Sequence, residues 1–209
     1  MIGALAVLAA FGARDRRTIE DDDTVLVARH HAGDEAAFSL IYRAHVAAVY
    51  RRLSHILGPV PEREDLTQDV FLALHAALGR FRGDAKLTTL IHRIAINKAY
   101  EYLRRQSRRP TTLVETWFFD ELLSFDISPE ALVTSREELA RVFACLVRIK
   151  PKKRIAFLLR VVDGLSFEEI GMLVDATPET VAKRVQHGQR ELDALLARTP
   201  LVPTSRSRA

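Results

Sequence analysis

Apolar residues recur every three to four positions along almost the whole chain, and no stretch alternates apolar with polar as a half-buried strand does. That regularity excludes sheet-based folds and predicts an all-α protein. Asp34 is placed to cap a long helix that turns Phe38, Ile41, Tyr42, Val46, Val49, Tyr50 and Leu53 inward, and "GPVP" at 58–61 breaks it. A second helix is expected from about Glu62 to Arg80, with Leu66, Val70, Phe71, Leu74 and Leu78 on its apolar side. "FRGDAKLTT" reads as a loop. Thr88 or Thr89 then opens a helix that buries Leu90, Ile91, Ile94, Ala95, Tyr102 and Leu103. Arg93, Asn97, Lys98, Arg104 and Arg105 lie off that stripe.

The chain has 209 residues, enough for one or two domains, and 48% of them are hydrophobic, enough for real cores. The formal charge is only +4, so local clusters of Lys and Arg matter more than the total for binding a polyanion. Cys145 is the one cysteine, which excludes an internal disulfide and any CxxC metal site; its apolar helical position predicts a buried, inert thiol. "MIGALAVLAAFG" at the start is apolar, but no Lys or Arg precedes it and it is too short to span a bilayer. Residues 1–23 are therefore expected to be a disordered extension or an over-called start, with "EDDD" at 20–23 as a solvated acidic lead-in to the first helix. Stable membrane insertion is not expected, and the body reads as cytoplasmic.

A second helical block is expected over 136–198, followed by a basic tail at 199–209. Within it, "SFEEIGMLVDATPETVAKRVQ" carries two helices and a tight turn. Ser166 with Glu169 forms a capping box, and Asp175 tolerates a left-handed turn position. Thr177 is an N-cap, with Pro178 at the first helical position. The longer helix is expected to bury Val181, Val185, Leu192 and Leu196 and to show Glu179, Thr180, Lys183, Arg184, His187 and Arg190. A short helix, a tight turn and a longer helix with a basic face make a helix-turn-helix pattern, which a helical hairpin with a solvated face also fits. Between the blocks, 111–135 contains no Lys or Arg. It interleaves Glu115, Asp120, Glu121, Asp126 and Glu130 with Trp117, Phe118, Phe119 and Phe125. Four aromatics in a linker need something to pack on.

"EDLTQDVFLALHAAL" followed by "RFRGDAKLTTLIHRIAINKAYEYLRRQSRR" resembles region 2 of extracytoplasmic-function sigma factors, members of the sigma-70 family. "GLSFEEIGMLVDATPETVAKRVQHGQREL" resembles their region 4, in the expected order. The resemblance implies a transcription-initiation subunit. Region 2 over 24–110 would read and open the −10 element and bind core RNA polymerase, and region 4 over 136–198 would read the −35 element. The acidic linker at 111–135 would thread the polymerase.

On matching positions, Asp65, Gln68 and Asp69 would meet the polymerase core. Arg82, Gly83, Asp84 and Lys86 would hold a flipped −10 base, and Arg93, Asn97, Lys98, Arg104 and Arg105 would line the −10 strand. Thr177, Pro178, Glu179, Thr180, Lys183, Arg184, His187 and Arg190 would meet the −35 duplex. Core RNA polymerase and promoter DNA are the implied partners, and an anti-sigma factor is a common further one in the family.

Departures from the family pattern are Leu90 for Trp, Asp175 and Glu179 for Gly, His187 for Arg, and Gly171 and Gly188 for Ala. The two mid-helix glycines each cost about 1 kcal/mol relative to Ala. No triad, phosphate loop, zinc spacing or GxGxxG is visible, and the adjacent His30 and His31 diverge on a helix. The chain is expected not to be an enzyme and to use no catalytic residues, cofactor, metal or small-molecule substrate. A competing expectation is a sigma-like interaction protein that sequesters an anti-sigma factor without reading promoters.

Overall fold

Eight helical segments account for all the regular structure among the described residues, and each starts or stops for a local reason. The computed structural model describes residues 20–58, 60–106, 138 and 140–199. The expected linker at 111–135, almost all of the N-terminal extension and all but the first residue of the basic tail lie outside them. The helices are α1 (Glu20–His31), α2 (Glu35–Leu57), α3 (Arg63–Leu78), α4 (Leu87–Gln106), α5 (140–146), α6 (Pro151–Val161), α7 (Phe167–Val174) and α8 (Pro178–Arg198).

The Asp34 side chain accepts from the Ala36 amide at 2.9 Å and fixes the start of α2. The helix stops at Gly58, whose φ of 76° needs a glycine. A Cβ there would also lie 2.8 Å from the Phe143 ring. Arg63 then fastens the turn into α3: it donates to the Ser54 hydroxyl at 3.0 Å and to the Val60 carbonyl at 3.2 Å, and lies 5.1 Å over the Tyr50 ring.

Helix α2 is the spine of the first lobe, with α1, α3 and α4 all packed on it. Ile41, Val49 and Leu53 from α2 meet Val70 and Leu74 from α3 and Ile91, Ala95 and Ala99 from α4, all fully buried. Tyr42 was expected inside but sits at the rim, its ring 4.7 Å from that of Phe71 in an edge-on contact. Helix α1 begins at Glu20, ahead of the boundary at 24. Asp23 is not solvated as expected; it is buried and accepts from Nε2 of buried His45 at 2.8 Å. His30 and His31 are likewise engaged. His30 packs edge-on against His75, and His31 Nε2 donates to the Leu78 carbonyl at 2.8 Å.

In the second lobe α6 and α8 form the main contact. Gly188 lets them close: a Cβ there would lie 3.1 Å from the Lys153 carbonyl oxygen and 3.2 Å from the Phe157 Cβ. Cys145 is buried, as expected. The two lobes share one continuous apolar core, with α6 and α7 packed on α4, and α6 also on α2. The Arg154 guanidinium crosses between them and donates to the Leu57 carbonyl at 2.8 Å. Complete burial pulls Arg154 down to about 10.

Candidate nucleic-acid and partner interface

The second lobe presents a helix-turn-helix whose turn is set by side chains. The Ser166 hydroxyl accepts from the Glu169 amide at 3.1 Å, while Glu169 accepts from the Ser166 amide at 2.7 Å. That reciprocal pair starts α7. Asp175 ends it in the left-handed region at φ 50°. The chain turns so tightly that a Cβ on Gly171 would lie 2.6 Å from the Ala176 carbonyl oxygen. The Thr177 hydroxyl then accepts from the Thr180 amide at 3.2 Å, and Pro178 opens α8.

On α8, Val181, Val185 and Leu192 are buried as expected, while Leu196 is half-buried at the far end. Thr177, Pro178, Glu179, Lys183, His187 and Arg190 face solvent, together with Gln186. Thr180 and Arg184 are half-buried on the flank of that face. Lys183 is not a free cation: its Nζ lies 2.8 Å from Glu179 Oε1, one turn back.

The first lobe carries a different arrangement. Arg93, Asn97, Arg104 and Arg105 lie exposed along α4, with exposed Glu101 among them. The first two and Arg104 share one face at helical spacing. Lys98 is half-buried, and its Nζ lies 3.7 Å from Asp69 on α3, so it belongs between the two helices rather than on an open strip. The loop after α3 turns at Gly83, where φ is 81°. With α1 it borders a half-open cavity of about 800 Å³. Arg82, Gly83 and Lys86 line the cavity; Asp84 is exposed but not part of the lining. The opposite wall, from Asp23 through Val27 to His31, is not apparent from sequence, where 20–23 reads as a solvated lead-in.

A third face lies on α3. Asp65, Gln68 and Asp69 are all exposed, and Leu72 continues their row at 70% exposure, beyond any other large apolar residue among those described. Sequence reasoning misses Leu72 too, although it stands off the Leu66, Val70, Leu74 and Leu78 stripe. Below the surface, burial and then the hydrogen bond to Glu62 at 2.9 Å push the Tyr102 hydroxyl up to about 12. Tyr102 therefore acts as a neutral donor that ties the end of α4 to the start of α3.

Residues 41–109 match the Sigma-70 region 2 family and residues 139–192 match Sigma-70, region 4. The chain is 36% identical over 180 residues to the ECF RNA polymerase sigma-E factor of Escherichia coli K12, covering 82% of this chain and 92% of that one. It is 31% identical over 183 residues to the RNA polymerase sigma-H factor of Pseudomonas aeruginosa, covering 85% and 95%. Among solved structures, CnrH in complex with the cytosolic domain of CnrY superposes with a TM-score of 0.60 at 23% identity, over 86% of this chain and 99% of that one. The sigma factor RpoE of Bartonella quintana, in complex with the anti-sigma factor NepR, gives 0.56 at 18% identity over 77% and 96%. Both share the fold described above.

Proposed function

Since the chain belongs to the extracytoplasmic-function sigma factors of the sigma-70 family, we propose that its three solvent-facing surfaces divide promoter recognition among them. Helix α8 reads the −35 duplex, α4 with the 79–86 loop takes the −10 element, and the outer face of α3 docks on core RNA polymerase. The protein is an RNA polymerase sigma factor, whose partners are core polymerase and promoter DNA.

The observation that carries the division of labour is the separation of charge type by surface. Two helices on different lobes present Arg, Lys, Asn and Gln to solvent, while α3 presents acid beside an exposed leucine. Duplex reading needs long donors on a helix that fits the major groove. On α8, Lys183 and Arg184 suit guanine, Gln186 suits adenine, and the Thr180 methyl suits thymine. Thr177 spends its hydroxyl on the cap, so its part is to aim the helix N-terminus at a phosphate.

Opening requires a base to leave the stack and be held. The cavity beside Arg82, Gly83 and Lys86 is large enough for one base, and its cationic rim suits the phosphate on either side. Arg93 and Asn97 follow the exposed strand along α4. Asp65, Gln68, Asp69 and Leu72 form an acidic face with an apolar centre, the composition of a protein–protein contact rather than a nucleic-acid one. Strand separation by binding asks no bond-making chemistry of this chain, so we read it as a non-enzyme. Its place of action is the cytoplasm, where its polymerase works. An anti-sigma factor is a further partner in this reading, because both solved relatives above were captured with a protein bound.

Run-off transcription with core polymerase tests the whole assignment. The wild-type chain should start at defined sites on promoter templates. Arg93→Ala and Asn97→Ala should lose opening, read by permanganate reactivity of the separated strand. Arg184→Ala and Lys183→Ala should lose discrimination at the −35 position. A chain that binds an anti-sigma factor but starts no specific transcript is a decoy, and the proposal fails.

A further inference from the structure

The cavity between α1 and the 79–86 loop is lined by two chemically different kinds of group. Arg80, Arg82 and Lys86 line it and are all exposed. Asp23 lines it too, but is only 3% exposed. Cations therefore stand at the mouth, and a carboxylate lies in the wall beneath. Phe81, half-buried, adds an aromatic surface to the lining.

That carboxylate is only half satisfied. Its Oδ1 takes the 2.8 Å bond from His45 Nε2, whereas Oδ2 is shut off from solvent and has no hydrogen-bond partner among the described residues. His45 is itself buried on α2, so the carboxylate is pinned at one oxygen. A buried acceptor without a donor is expensive, the more so when it is charged. The tie between α1 and α2 uses Oδ1 alone and gives no reason for the second oxygen to stay empty.

On the reading above, a flipped −10 base enters this cavity and its flanking phosphates stay at the mouth. The charge layout enforces that orientation, because Asp23 repels a phosphate while Arg80, Arg82 and Lys86 attract one. What approaches Asp23 is a base edge, and the bases differ in what they offer. Cytosine and adenine each present one exocyclic amino group beside a ring acceptor. Thymine presents two carbonyl oxygens around a single N–H, and both oxygens repel a carboxylate. Guanine presents two N–H donors that a carboxylate holds best with both oxygens, and here one is already spent on His45.

We propose that Asp23 is the base selector of this cavity: its free Oδ2 accepts from the exocyclic amino group of a flipped cytosine or adenine, while His45 holds Oδ1 and fixes the carboxylate's direction. The proposal rests on the −10 assignment above and adds which bases the cavity takes. His45 is a positioning residue, since it touches Asp23 and not the base. The terminal torsion of an Asp side chain is soft, so a small turn presents Oδ2 to the entering amino group. Stacking on Phe81 tolerates any base, and phosphate contacts at the mouth carry no sequence information. Discrimination therefore falls on Asp23.

The test is selection of single-stranded oligonucleotides from a randomised pool by holoenzyme made from core polymerase and the full chain, read by sequencing. The wild-type chain should enrich cytosine or adenine at one position of the −10 segment and deplete thymine there about tenfold. Asp23→Asn keeps the shape and can still accept from His45, but puts an N–H donor where Oδ2 stood. It should lose that enrichment, favour thymine or guanine, whose carbonyl oxygens accept, and leave the other positions as they were. Circular dichroism checks that the variant folds. A second arm needs no variant. Oligonucleotides whose enriched base lacks only its amino group, pyrimidinone for cytosine or purine for adenine, should bind wild-type holoenzyme about tenfold more weakly. Unchanged enrichment in folded Asp23→Asn, or undiminished binding of the amino-free base, overturns the proposal alone. So does a loss of affinity spread evenly over all positions, which is what a purely structural role predicts. A pool in which no position is selected overturns the −10 assignment and the proposal together.

Discussion

At the level of single residues, Gly171 shows how a local cost is set by a distant atom. Its helix position looks unfavourable, since Gly is about 1 kcal/mol worse than Ala inside a helix. Propensity by itself therefore favours Ala. The Ala176 carbonyl oxygen reverses that preference, because it lies 2.6 Å from where a Cβ would stand. We expect Gly171→Ala to destabilise the protein by ~1–3 kcal/mol, the range for forcing extra volume into a packed site, despite the better propensity. Equilibrium urea unfolding measures it, and a variant as stable as the parent or more so would show that the turn relaxes freely.

Glu179 is the opposite case, legible as a departure from its relatives but not as a partner. It holds Lys183 in an exposed pair one turn apart, worth about half a kcal/mol at most. Glu179→Gln should leave the thermal midpoint unchanged and raise affinity for −35 duplex several-fold. It should also sharpen discrimination at the −35 guanine and steepen the salt dependence by up to ~1 in the log–log slope, because one more cation is free to enter the DNA groove. Duplex titrations at several salt concentrations decide it; unaltered affinity and slope place Lys183 away from the DNA.

Among the elements, those governed by their own periodicity are readable from sequence and those governed by a neighbour are not. Helices α2, α3, α4, α7 and α8 follow from apolar spacing and caps, and Asp34, Ser166 and Thr177 cap where the sequence indicates. The first turn of helix α1 escapes such a reading because "EDDD" carries no sign that Asp23 has a buried histidine to bond on α2. The cavity wall that α1 supplies is lost with it. The α3 face is half legible: the acids are visible, but Leu72 only gains meaning once the helix is seen to leave it bare.

A bare leucine among acids at a docking face is the kind of central apolar anchor that dominates interfaces. Leu72→Asp should weaken binding to core polymerase by about 2 kcal/mol, roughly 30-fold. Stability should stay within about 0.5 kcal/mol, since the side chain packs on little. A pull-down titration against core polymerase, paired with thermal melts, reads both. Equal binding would move the docking face elsewhere.

Across the whole molecule, the groups that join the lobes make stability depend on acidity. His92 on α4 is held far below its ordinary value, at about 3, first by burial, then by the nearby Arg52 charge and by His45; Asp163 pulls the other way. Burial works to raise Asp163, but the His55 hydrogen bond and the Arg52 charge outweigh it and keep the carboxyl below its usual range. For His92 the unfolded chain takes up a proton near pH 6.5, while the folded chain refuses it until about 3. Between those values the unfolded state binds more protons, so stability is full above the upper value and falls as pH drops, by up to about 1.4 kcal/mol per pH unit for one proton. Asp163, whose folded value is also depressed, adds its loss only below about 3.8, the ordinary carboxylate value.

From pH 7 to 4, then, His92 is the group that should dominate among those with a resolved shift. Thermal melts across that range should show a falling midpoint in the parent chain and a flatter profile in His92→Gln, which cannot charge. Because His92 lies near both Arg52 and Asp163, acid should also loosen the lobes before it unfolds them. Inter-lobe distance should lengthen at pH 5 while helical circular dichroism stays constant. A distance that holds until the helices melt would place the acid sensitivity inside the lobes rather than between them.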